Sequence, residues 1–376
     1  MDVFLFLGIV FLMTFVIGKI LERFSIPWIF AALIIGVFLA DFPVQQETFN
    51  FLANLGMYLL LFIIGFQIDL TKLAKSSKFI VKSTFFIILF EAFFGSLIIH
   101  FLFGYNWILS VIVSLSFATV GEAILLPILD EFNIVNTKLG HSIIGVGTLD
   151  DVIEVIALIA VMVLVGSSTN LIYVGASLAI LFIMAFGLTK LREEVRYFKF
   201  LDLDELFLFS LFVIFLFIGL GNIADAAPIG AILAGIALKT FIPDKRLEKV
   251  ETLFKTVCYG LFAPIFFLWV GMSVDVKYIL AYPLLVLIVS LVSIVAKLVA
   301  SWISGHNVLG FKSSLLFGVG LSVRFSTSLV IVKILLDNNL ITTGLYSVIV
   351  ASSVIFTFII PFTFSYLVKH WRADIH

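Results

Sequence analysis

Seven charged side chains stand inside stretches that are otherwise apolar: Glu91, Glu122, Asp150, Asp151, Glu154, Lys297 and Arg324. Placing a charge in a bilayer costs at least about 2.5–3.5 kcal/mol, so each needs a reason to be there. Carboxylates at such depth support two kinds of chemistry. They take up a proton, because low dielectric disfavours an unpaired carboxylate, or they offer oxygen ligands to a hard cation. Five acids against two bases leave more carboxylates than cationic partners, which predicts neutral acids or shared protons.

The sharpest arrangement is Gly145-Val-Gly-Thr148-Leu-Asp150-Asp151. Neighbouring residues face about 100° apart on a helix, so the two carboxylates cannot both meet one partner. One can pair with a fixed cation while the other faces a cavity. Counting along the helices puts Asp150 roughly 15 Å deep and Lys297 about 10 Å from the inner end of its own segment. An Asp150–Lys297 ion pair is therefore allowed; the plainer reading makes both polar glue between helices. Glu154, one turn on, is either a third acid lining the same cavity or a protonated side chain bonded to a neighbouring helix. Glu91 and Arg324 lie at similar depth and can pair, the alternative being a protonated, hydrogen-bonded Glu91.

Two segments concentrate small and polar residues at mid-length. One reads Ser114-Leu-Ser116-Phe-Ala-Thr119-Val-Gly121-Glu122, with Pro127 following; the other reads Gly318-Val-Gly320-Leu-Ser322-Val-Arg324-Phe-Ser326-Thr327-Ser328. In a membrane this composition predicts interrupted helices whose freed backbone groups face a cavity, and two of them in corresponding places point to a midplane site.

The elements that must position these residues follow from composition. Of 376 residues 62% are hydrophobic and only 12% charged, with a mean hydropathy of +1.24; a soluble domain carries about 25% charged residues. This excludes a water-soluble enzyme, a nucleic-acid binder and a disordered chain, and describes an all-α polytopic membrane protein. The net charge of −1 implies no bulk electrostatic partner. The single Cys258 excludes a disulfide framework, and the five His make no ligand pair at helical spacing, so neither a resident metal nor a cofactor is expected. The N-terminal MDVFLFLGIVFLMTFVIGKI starts acidic and stays apolar, which reads as a retained membrane helix and not a cleaved leader.

Thirteen apolar segments follow: 3–21, 26–40, 50–68, 79–102, 107–129, 139–165, 170–189, 205–222, 225–242, 251–273, 279–303, 311–336 and 341–368. With the N-terminus outside, the inner ends of these segments hold 19 of the 23 Lys and Arg, and the outer ends only Lys277 and Lys333. That asymmetry predicts an N-out, C-in topology. Thirteen is six, one and six. With 170–189 as a connector the two halves start on opposite sides, so a repeat between them is inverted, as in secondary transporters. Gly65 to Asp69 and Gly271 to Asp275 share G-x-x-x-D at the same ordinal place.

These residues resemble the monovalent cation:proton antiporters, in the branch that holds the NapA-type sodium/proton exchangers and the Kef-type potassium exchangers. The resemblance spans nearly the whole chain. It rests on Leu60-Leu61-Phe62-Ile63-Ile64-Gly65, Thr119, Asp150-Asp151, Pro264-Ile265-Phe266-Phe267 with Gly271, Lys297 and Arg324. Kef-type members usually carry Gln-Asp at the acid pair and electroneutral exchangers Asn-Asp, so Asp-Asp with Lys297 favours the electrogenic sodium/proton type. The resemblance implies that Asp151 is the ion-binding carboxylate, Asp150 the partner of the lysine, and Thr119 an oxygen donor beside the ion. It implies a mobile core from about 50–165 and 251–368, and a dimer scaffold from about 3–40 and 205–242.

Two departures matter. Relatives often carry Pro-Arg-Gly-Glu where this chain has Val323-Arg324-Phe325-Ser326, and Glu122 and Glu154 are additional acids that bear on ion choice and proton count. The expectation is a secondary antiporter in the cell membrane, not an enzyme. It exchanges Na⁺, or Li⁺ or K⁺, for H⁺, works as a homodimer, and uses Lys297 either as a proton carrier or as a fixed counter-ion. A potassium/proton exchanger of the same fold, a passive cation channel and an organic-anion symporter are the rival readings.

Overall fold

The computed structural model describes residues 2–24, 26–40, 42, 46–68, 77–121, 129–130, 132, 134–165, 179–185, 187, 202–223, 226–242, 244–324 and 327–371. All regular structure among them is helical. The helices are α1 (Val3–Glu22), α2 (Phe30–Phe38), α3 (Gln46–Gln67), α4 (Lys78–Phe103), α5 (Trp107–Phe117), α6 (Lys138–Val165), α7 (Leu203–Asn222), α8 (Ala227–Phe241), α9 (Asp244–Val257), α10 (Ala263–Met272), α11 (Val276–Ala281), α12 (Pro283–Leu309), α13 (Phe311–Gly320), α14 (Thr327–Asp337) and α15 (Thr343–Trp371). A π-helical turn, Cys258–Phe262, joins α9 to α10. Seven stretches among the described residues are long and apolar enough to cross a membrane, and Trp107–Ser116 and Ala227–Phe241 are shorter apolar helices.

Local chemistry sets the boundaries. Ser77 caps α4 by accepting the Ile80 N–H at 3.2 Å, and α4 ends at Gly104 with φ 74°, a left-handed backbone that glycine adopts without strain. Asn106 caps α5 through the Leu109 N–H at 2.9 Å. The predicted segment 279–303 begins and ends differently: Tyr282 separates α11 from α12, which has Pro283 in its first turn and runs on to Leu309. Proline suits a first helical position because its missing N–H would have no helical partner there. Of the predicted connector 170–189, most lies outside the described residues.

The chain divides into two compact units. The first comprises residues 1–14, 32–68 and 158–272, and the second 15–31, 69–157 and 273–376. In the first unit α3 lies along α8 at backbone contact. A Cβ on Gly65 would overlap the Ile232 carbonyl, and one on Gly235 would overlap the Phe62 carbonyl. Gly36 of α2 and Gly271 of α10 meet in the same way. Such small-residue seams let apolar helices pack where water gives no driving force. In this unit α3 packs on α8 and α10, and α8 on α7. Gly235→Val forces α3 and α8 apart. It is expected to destabilise the fold by about 1–3 kcal/mol, read as an earlier thermal midpoint of the purified protein; an unchanged midpoint would contradict the seam.

In the second unit α12 is the central post. It packs along α4 on one side and against α13 and α15 on others, and α5 runs beside α4 and α14.

Candidate functional site

The second unit contains the two predicted interruptions. α5 stops at Phe117 and the chain is non-helical through Gly121; α13 stops at Gly320 and α14 starts only at Thr327. A broken helix frees backbone groups, and in a low-dielectric interior each must find a partner. Four of the partners are found here. The Val120 N–H donates to Asp150 Oδ2 at 2.6 Å. The Gly121 N–H donates to the Val323 carbonyl at 2.7 Å, tying one break to the other. Lys297 Nζ donates to the Thr119 carbonyl at 3.0 Å and to the Leu321 carbonyl at 2.7 Å. Those carbonyls sit just past the C-terminal ends of α5 and α13, where the helix dipole is negative, so an ammonium there is doubly favoured. One lysine thus stitches both broken helices together.

Asp150, Lys297 and Glu91 come from three different helices and all lie near mid-length: twelve residues past Lys138, twelve before Leu309 and thirteen past Lys78. At 1.5 Å per residue each is about 18–20 Å from its helix end. All three are buried, Asp150 at 1% exposure and Glu91 and Lys297 at 0%. Lys297 also faces a carboxylate that the sequence reading had not set beside it. Glu91 lies against Lys297, with Nζ to Oε2 at 3.3 Å. Asp150 accepts a backbone N–H, that of Val120.

The expected Glu91–Arg324 pair does form, closer than the Lys297 contact. Ser293 of α12 completes a triad, donating from Oγ to Glu91 Oε1 and accepting from Arg324 Nη2. Arg324 also lies 4.7 Å from the centre of the Phe356 ring, and its carbonyl accepts the Thr357 hydroxyl at 3.0 Å. Ser114 of α5 donates to the Glu91 backbone carbonyl at 3.3 Å. Glu91 therefore faces both Lys297 and Arg324.

Sequence reading did not single out Ser293 or Thr357. Ser293 stands one helical turn before Lys297, which was the available signal. Lys333, expected at an outer end, is buried at 2% and pairs with Asp337 one turn on. Asp151 and Glu154 follow Asp150 on α6, but their side chains lie outside what is described, as do Glu122 and Ser326 entirely.

The chain was compared with known proteins. The transmembrane sodium/hydrogen exchanger family matches over residues 9–370. A Na(+)/H(+) antiporter of Enterococcus hirae is 30% identical over 400 residues, covering 98% of this chain and 100% of that one. A probable Na(+)/H(+) antiporter 3 of Methanocaldococcus jannaschii is 28% identical, covering 95% and 93%. Among solved structures, a sodium proton antiporter from the same archaeon at pH 8 superposes with a TM-score of 0.67 at 16% identity, covering 98% of this chain and 96% of that one. That last likeness is one of fold.

Proposed function

The chain belongs to the transmembrane sodium/hydrogen exchanger family, and from that premise we propose a secondary antiporter that exchanges Na⁺ for H⁺ by alternating access at Asp151. It is a multi-pass membrane protein. The observation that carries the reading is the meeting of a buried carboxylate with two broken helices: Asp150 on α6 holds one break by its Val120 N–H, and Lys297 binds both. Asp151, next to Asp150, is the carboxylate that the family resemblance gives to the exchanged ion, and Thr119 stands at the break to add an oxygen. A carboxylate binds either a proton or a hard cation. The two compete for one site, and that competition couples their movements without ATP.

The reading extends to thirteen spans with the N-terminus outside, to a homodimer through α1, α2, α7 and α8, and to electrogenic exchange. For the last, two protons are exchanged for one cation, with Lys297 giving up one of them or, where Lys297 stays protonated, with both coming from Asp150 and Asp151. Each net charge moved responds to voltage by about 2.3 kcal/mol per 100 mV. The test is proton-dye dequenching in proteoliposomes with Na⁺, Li⁺ and K⁺ in turn, at a potassium-free diffusion potential of either sign for the first two. Na⁺-driven proton movement whose rate follows the potential is expected. A response to K⁺ alone would make this a potassium exchanger, cation flux without proton movement a channel, and indifference to voltage an electroneutral exchanger. Cross-linking in lipid is expected to trap dimers; only monomers would remove the scaffold from the account.

A further inference from the structure

Beside the ion-pair triad, α4 and α12 leave a groove of about 400 Å³, within the size range of ligand sites. Its walls are Phe90 and Phe94 on α4 against Leu291, Val295 and Val299 on α12, with the buried Ala296 as its floor. The α4 wall continues as a ladder of rings, Phe86 to Phe90 at 5.6 Å and Phe90 to Phe94 at 4.9 Å. We propose that this groove is a binding site for one acyl chain of a membrane phospholipid.

Three observations select that occupant. The first is depth: Phe90 is twelve residues past Lys78 and Val295 twelve past Pro283, so both stand about 18 Å along their helices, inside a hydrocarbon core about 30 Å thick. Acyl chains are the molecules abundant there. The second is shape: the groove lies between two adjacent helices, and the ring ladder beside it runs along α4, the direction of lipid tails. The third is chemistry: every lining side chain is apolar, so water finds no hydrogen-bonding partner there, and such cavities stay dry. The groove is also continuous with the lipid-facing surface, since Phe93, Leu291 and Val295 are all more than half exposed.

The position gives the tail a role. Phe90 immediately precedes Glu91, and Ala296 immediately precedes Lys297. An empty groove forfeits dispersion contacts on one side of this layer; a tail restores them and keeps the surroundings of the Glu91–Lys297–Arg324 charges at low dielectric, where their attraction is strongest.

The test uses the full chain in vesicles of phosphatidylcholine carrying a photoreactive diazirine at mid-chain, with labelled peptides mapped by mass spectrometry. Labelling at Phe90, Phe94 and Leu291 is expected to exceed that at Ile359 and Phe362, exposed residues of α15, by several-fold. Ala296→Leu fills the floor and Val299→Phe the rim, and either is expected to lower groove labelling to the α15 level while leaving α15 unchanged. The native protein alone decides if both variants fold poorly. Equal labelling of groove and α15 in the native protein would overturn the site, as would groove labelling unmoved by two folded variants. Labelling by a free diazirine fatty acid but not by the phospholipid would overturn the assigned source, and cross-links joining the groove to a second copy would make it an interface instead.

Discussion

Asp151→Asn is expected to abolish sodium-driven proton movement in proteoliposomes while leaving a folded, monodisperse protein. Asparagine keeps the shape of aspartate and an acceptor oxygen, but it neither binds a proton in this range nor offers a charge to a cation. Exchange should fall to the level of empty vesicles. Asp150 gives the contrast, because its described role is structural: Oδ2 accepts the Val120 N–H at 2.6 Å at the edge of a broken helix. Asp150→Ala strands that buried donor, which costs about 1–3 kcal/mol, and so should lower the thermal midpoint; Asp151→Asn should not. Purified Asp151→Asn that exchanges Na⁺ for H⁺ normally would remove that residue from the site.

Glu91→Gln is expected to produce the largest loss of stability. It leaves two buried cations, Lys297 and Arg324, without the carboxylate that faces them at 3.3 Å and closer. Removing one partner of a buried pair costs about 3–5 kcal/mol, mostly as uncompensated charge. The signature is in the double variant. Glu91→Gln with Arg324→Gln should be less damaged than the sum of the two single losses, because the second change removes part of the stranded charge. Additive losses in a thermal or denaturant series would show that the pair contributes nothing as a pair. Since Lys297 also holds the Thr119 and Leu321 carbonyls, transport in Glu91→Gln should fall with stability even though Glu91 is not assigned to the transported ion.

Much of this architecture could be read from residue types. Apolar runs bounded by lysines and arginines locate α3, α4, α6, α7 and α15 within a few residues of their observed limits. The breaks after Phe117 and Gly320 were visible because Ser, Thr and Gly gather in corresponding places at the centre of two apolar segments. What the sequence left open was pairing. Counting along a helix gives depth, but not the rotation of the helix or which neighbour it meets. Asp150 and Lys297 matched in depth, but depth could not show that α4 packs along α12 and brings Glu91 to the lysine as well. Ser293 was passed over for a related reason. A lone serine in an apolar helix usually bonds back to the preceding turn, as Ser210 and Ser352 do, and only the tertiary contact distinguishes Ser293. Lys333 was read only as an outer-end charge, although its i, i+4 spacing to Asp337 puts the two on one helical face.

The central claim is that a cation and a proton compete for one carboxylate site, and its most direct test is the half-saturating Na⁺ concentration of exchange measured across pH in proteoliposomes with no imposed potential. Competition predicts that on the acidic side this concentration rises as the pH falls, by about tenfold per pH unit for each proton the cation displaces, while the maximal rate at saturating Na⁺ is unchanged. A half-saturating concentration that stays constant as the pH falls, with the maximal rate declining instead, would mean that protons and cations occupy different sites, and would contradict the account.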